Sequence, residues 1–186
     1  MLYKDFKPLL IALKTKNFES EKIVQRANYT VKGLSIPRKC KLPKEDFNLV
    51  KKVFTMNLGD NLYKLRQSII IPLYRLLIYS GGEEGLVFLL DNISLPMSSK
   101  KLKGIVMSFS SLDRKNLLEV LRKRVKSDKL KDLLPAIWGL SVNGEITDVS
   151  TLQKFALDKR NIPKWNQTLG EFSKKGLKTL ESNIKK

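Results

Sequence analysis

Apolar residues recur at intervals of three and four along most of this chain, and that spacing constrains its fold more than any other feature. A helix turns about 100° per residue, so positions i, i+3, i+4 and i+7 share a face. Phe6, Leu9, Leu10 and Leu13 follow this rule, and Leu117, Leu118, Leu121 and Val125 form a similar stripe. The strict alternation of a half-buried strand is scarce. The spacing predicts an all-α protein of about eight to ten short helices. They would pack as a compact multi-helix domain or as two helical lobes, and 186 residues suffice for either.

Prolines and capping patterns divide the chain. Pro37 and Pro43 bracket Arg38, Lys39 and Lys41, and proline disfavours helix on its N-terminal side. This gives an N-terminal helical segment over 1–36, a basic linker over 37–43 and a main helical region over 44–186. The first segment either packs with the main region or stands apart. Phe47, Val50, Val53 and Phe54 set a helix over 44–58, and 61–79 is the most apolar stretch, kinked or ended at Pro72. Ser80 with Glu83 reads as a capping box opening a helix to about Asn92. A helix near 100–109 follows the break at Leu95 and Pro96. Ser110 with Asp113 opens the next helix, which Ser127 and Asp128 divide, with Pro135 near the end of its second half. Ser150 with Gln153 and Thr168 with Glu171 mark two further starts. In the last helix Phe172, Leu177, Leu180 and Ile184 lie roughly on one side.

Charge narrows the function. There are 36 Lys+Arg against 18 Asp+Glu, a formal +18. Residues 1–52, 99–131 and 154–186 carry +8, +8 and +6, while 53–98 and 132–153 carry −1 and −3. Such clustering attracts polyanions: nucleic acid, anionic lipid or an acidic protein. The chain has no histidine, which removes histidine acid–base chemistry and histidine metal ligation. Cys40 is the single cysteine, so no internal disulfide forms, and a reducing interior suits it. There is no P-loop, dinucleotide fingerprint, nucleophile elbow or zinc pattern. The carboxylate pairs Glu45/Asp46 and Glu83/Glu84 read as helix N-termini. No catalytic residue, cofactor or metal is expected. No apolar run reaches the roughly 18–20 residues that span a bilayer, and residues 1–16 read as a helix, not a signal peptide. The N-x-S/T triplets at Asn28, Asn92 and Asn166 read as chance.

The densest block is LLEVLRKRVKSDKLKDLL, residues 117–134. Arg122, Lys126 and Lys129 occupy i, i+4 and i+7, with Lys115 at i−7 from Arg122, and predict a cationic ridge beside the leucine stripe. Lys123 and Arg124 thicken it, and Lys100, Lys101 and Lys103 extend it. Arg38, Lys39, Lys41, Lys174, Lys175 and Lys178 are secondary candidates. The block is either a solvated helix face or a surface for something negative. Aromatic residues make up 8% of the chain and none lies in the basic helix, so sequence-specific base reading lacks support. Backbone-directed RNA binding stays compatible. Trp165, beside Lys164, is either an exposed ring or a buried rim. An anionic membrane asks only for clustered cations, each contributing about 1 kcal/mol.

Residues 84–125, EGLVFLLDNISLPMSSKKLKGIVMSFSSLDRKNLLEVLRKRV, resemble part of the influenza-type orthomyxovirus matrix protein. The shared features are a Glu-led leucine helix, a Leu-Pro break, a Lys103-Gly104-Ile105 helix start, Phe109 and an Arg-rich helix. The resemblance implies an all-α protein under a virion envelope that binds acidic lipid, self-associates into a layer and contacts ribonucleoprotein. It makes Arg122, Lys123, Arg124 and Lys126 candidate lipid or RNA contacts.

The expectation is therefore a non-enzymatic, matrix-like viral structural protein that binds anionic phospholipid membrane, RNA or ribonucleoprotein, and forms homo-oligomers. It would be intracellular and virion-associated, peripheral at the inner face of a membrane or with ribonucleoprotein. The first alternative is a nucleoprotein or other RNA-binding protein, for encapsidation or silencing suppression. The second is a helical module that recognises an acidic protein.

Overall fold

The amphipathic spacing resolves into packed helices in a computed structural model, which describes residues 43–55, 74, 77–78, 81–93, 95–96, 98–109 and 112–185. Seven α-helices and one 3-10 turn fall among these residues, with no strand. The chain divides into two units, Met1–Asn92 and Ile93–Lys186. The segment over 1–36, the linker cations Arg38, Lys39 and Lys41, Cys40 and Pro72 lie outside the described residues.

In the first unit, α1 (Lys44–Thr55) buries Phe47 and Val50, three residues apart. Glu45 and Asp46 occupy its first turn, where the helix dipole favours negative charge. Helix α2 (Glu83–Asp91) buries Leu86, Leu89 and Leu90. Its cap is Gly82 at φ 56°, with no side-chain cap. A left-handed backbone suits glycine, and Ser80, the other half of the expected Ser80–Glu83 box, lies outside the described residues. Lys51 Nζ pairs with Glu84 at 2.9 Å and stands 4.5 Å from the centre of the Phe47 ring. Tyr74, Leu77 and Ile78 are buried, and burial pushes the Tyr74 hydroxyl pKa up.

The second unit is built around α5 (Leu130–Asn143). Leu133, Leu134, Ala136, Ile137 and Leu140 are all fully buried. Each large side chain contributes about 1.5–3 kcal/mol of transfer free energy. Helices α3 (Ser99–Ser108), α4 (Arg114–Arg124) and α7 (Leu169–Ile184) pack against α5. A 3-10 turn (Ile146–Asp148) leads into α6 (Val149–Phe155), which packs on α7. The Ser173 hydroxyl donates to the Leu152 carbonyl at 2.8 Å and ties α6 to α7. The 156–168 connection carries one antiparallel bridge, Asn161 with Thr168. Its end is fastened by the Leu169 and Gly170 amides, which donate to the carbonyls of Arg160 and Asp158 at 2.8 and 2.9 Å.

Helix starts show which local patterns survive in the folded chain. Thr168 and Glu171 form the expected reciprocal box, at 3.2 and 2.8 Å. Asp113 caps α4, accepting from the amides of Lys115 and Asn116, and Ser110 lies outside the described residues. Helix α6 starts at Val149, within one residue of the expected Ser150, but the reciprocal box that forms is Glu145 with Asp148, at the head of the 3-10 turn. Pro135 is not near a helix end. Losing its amide removes one backbone bond, but the buried Ala136, Ile137 and Leu140 carry α5 on to Asn143.

Candidate functional site

Arginine and lysine part company in the second unit. Its four arginines all bond inside the fold. Arg114 donates from Nε and Nη2 to the carbonyls of Asn143 and Gly144, both at 3.1 Å, and so caps the end of α5. Arg124 Nη1 donates to Asp132 Oδ1 at 3.0 Å, and the Ser127 hydroxyl donates to Asp132 Oδ2 at 2.8 Å. This closes the joint between α4 and α5. Arg160 chelates the Asp158 carboxylate and also reaches the Asp128 carbonyl. Hydrogen bonding from Arg160 holds the Asp158 carboxyl below its ordinary pKa, and the same bond raises that of Arg160.

Arg122 is the most deeply engaged. Its Nε donates to Asp148 Oδ1 at 2.7 Å. Its Nη2 reaches Asp148 Oδ2 at 2.9 Å, Glu145 Oε2 at 2.8 Å and Thr147 Oγ1 at 3.3 Å. The Asp148 side chain is 3% exposed, against 40% for Arg122. Asp148 also accepts the Glu145 amide at 2.9 Å. The bonds to Asp148, then to Glu145, raise the Arg122 pKa above its already high value.

The lysines behave differently. Lys103, Lys115, Lys123, Lys126, Lys129, Lys174, Lys175 and Lys178 are all exposed. Lys175 makes one contact, to Gln167 Oε1 at 3.2 Å. Lys100 and Lys101 have helical backbone in α3, and their side chains lie outside the description.

The expected ridge does not form one helical face. Helix α4 ends at Arg124, and Lys129 caps α5 in an extended conformation. The i, i+4, i+7 relation therefore breaks between Lys126 and Lys129. What α4 presents to solvent is Arg114, Lys115, Asn116, Glu119 and Lys123, with Lys126 in the turn beyond.

A cleft of about 510 Å³ opens beside the end of α4. Arg122, Val125 and Lys126 form one wall. Thr147, Thr151, Lys154 and Phe155 come from the 3-10 turn and α6, and Asp148, bonded to Arg122, also lines the cleft. The second wall was not legible in the sequence, because 21 or more residues separate it from Lys126 and no spacing rule joins them. Phe155 is the one aromatic residue in the cleft lining; Phe172 stacks on Trp138 at 5.7 Å and meets the half-buried Trp165 edge-on at 5.7 Å. Among the described residues no cluster of His, Cys, Asp or Glu suits a metal ion, and no helix is long and apolar enough to cross a membrane. No protein family, curated protein or solved structure matches the chain.

Proposed function

We propose that this chain is a non-enzymatic, matrix-like assembly protein that docks on anionic membrane through its outward lysines and self-associates there. The observation that carries the reading is the division of labour among the cations. Arginines in the second unit bond internally, and its described lysines other than the half-buried Lys131 face solvent. Arginine's planar fork suits fixed carboxylates, whereas lysine is a hydrated point charge on a flexible stem. A surface of such charges fits a fluid array of anionic headgroups, where each contributes about 1 kcal/mol without fixed geometry.

RNA binding is the second reading, favoured by Trp165, which is half-exposed beside Lys164 and within the basic 154–186 block. It asks for base stacking as well as charge. Flotation of the RNA-free full chain with phosphatidylcholine and phosphatidylserine vesicles at physiological salt tests the proposal. Flotation with the acidic vesicles alone is the expected outcome. Failure with both overturns it, and titration of single-stranded RNA then becomes the deciding measurement.

A further inference from the structure

The cleft beside the end of α4 is more selective in its chemistry than the lysine surface around it. Lys126 and Lys154 line it, both are exposed, and neither makes an ion pair among the described residues. Arg122 adds a fixed donor. Its Nε and Nη2 are committed to Asp148, Glu145 and Thr147, while Nη1 makes no hydrogen bond among the described residues. A guanidinium anchored on one edge loses little freedom when its other edge meets a ligand. The Thr147 hydroxyl oxygen accepts from Arg122, which leaves its own hydrogen to donate. Thr151, half-buried, also lines the cleft. Val125 is buried and Phe155 half-buried, so part of the wall is apolar.

These groups suit a compact dianion. A phosphomonoester carries close to two negative charges at neutral pH and three strong acceptor oxygens. Two exposed apolar side chains indicate where such a group would come from. Ile146 is 67% exposed and Leu157 is 84% exposed. Ile146 adjoins Thr147, and Leu157 is two residues past Phe155. Each therefore stands within about 8 Å of a lining residue, Cα to Cα. An RNA backbone gives an exposed leucine nothing to bury in; a bilayer does.

We propose that this cleft binds the phosphate of a phosphomonoester lipid headgroup, with Ile146 and Leu157 entering the adjoining acyl layer. The assignment rests on the membrane reading above and adds headgroup selectivity to it. Full-length protein is floated with phosphatidylcholine vesicles containing phosphatidic acid or phosphatidylserine, matched in surface potential. The wild type should partition about tenfold more strongly onto phosphatidic acid. The Lys126→Ala/Lys154→Ala variant should lose that preference. Lys174→Ala/Lys178→Ala removes equal charge from exposed positions on α7 and should keep it, while weakening both bindings about 30-fold. Leu157→Ser should weaken phosphatidic acid binding about tenfold. Thermal melts check that the variants fold, which exposed lysines permit.

Equal wild-type binding to the two matched vesicles overturns the cleft assignment and leaves the membrane reading standing. Equal losses from the two lysine pairs do the same. Absence of flotation with every vesicle overturns both. Loss of single-stranded RNA binding in Lys126→Ala/Lys154→Ala, with flotation intact, gives the cleft to nucleic acid and overturns the lipid assignment.

Discussion

Arg122 and Lys126 are four residues apart and carry the same charge, yet they answer to different parts of the molecule. Arg122 neutralises a carboxylate that is nearly out of solvent, and Lys126 faces water. Arg122→Ala would strand Asp148, and should destabilise the chain by roughly 2–4 kcal/mol, toward the lower end because Arg122 is itself partly hydrated. Lys123→Ala and Lys126→Ala should each change stability by less than about 0.5 kcal/mol. Urea denaturation of the three variants distinguishes them. A binding test that replaced all four of Arg122, Lys123, Arg124 and Lys126 would mix lost affinity with lost folding. The Asp158–Arg160 pair gives a pH signature. The Asp158 pKa is depressed in the folded chain, so its contribution is present above the unfolded value of about 3.9 and is lost as pH falls through the folded value. Arg160 is 42% exposed, and solvent screening keeps that contribution under about 1 kcal/mol. Asp158→Asn should therefore be slightly less stable than wild type at neutral pH, with the gap closing in acid. A gap that persists in acid would assign the effect to packing.

Among the elements, α5 and α7 cross closely at Gly176. A Cβ on Gly176 would collide with the Ser141 hydroxyl, which is buried and donates to the Ile137 carbonyl at 2.6 Å. Gly176→Ala should cost about 1–3 kcal/mol by overpacking, despite alanine's better helix propensity. Adding Ser141→Ala removes the colliding oxygen and should recover most of that loss in a double-mutant cycle. The same crossing shows what was legible in the sequence. The leucine stripe of α4 and the Thr168–Glu171 box were readable because each is local, fixed by helical period or by three-residue reach. Pro135 misled because the pull of buried Ile137 and Leu140 is tertiary. Ser150 marked the α6 start to within one residue but not the box, since Asp148 is held by Arg122 from another helix and the helix start follows Asp148. The candidate site divided in the same way. Exposed lysines were visible as a charge cluster, but nothing in the sequence paired Arg122 with Asp148 or placed Lys154 in one cleft with Lys126.

For the whole molecule, the absence of histidine matters as much as the excess of lysine. A chain of +18 with no imidazole has no ordinary side chain that changes charge between about pH 5 and 7. The ordinary pKa values of carboxylic acids lie below that window and that of an alkylammonium well above it. If docking is set by lysines, as proposed, flotation with phosphatidylserine vesicles should stay constant across it. Salt should act strongly instead. The screening length falls from about 10 Å at 0.1 M to about 3 Å at 1 M, so lysine contacts should fade over that range. Any remainder at high salt measures apolar insertion and should shrink further in Leu157→Ser. Paired pH and salt titrations of one protein preparation separate these terms. A steep change between pH 5 and 7 would place the controlling group among shifted carboxylates, and lysine docking would then not be what governs the attachment of this chain to membrane.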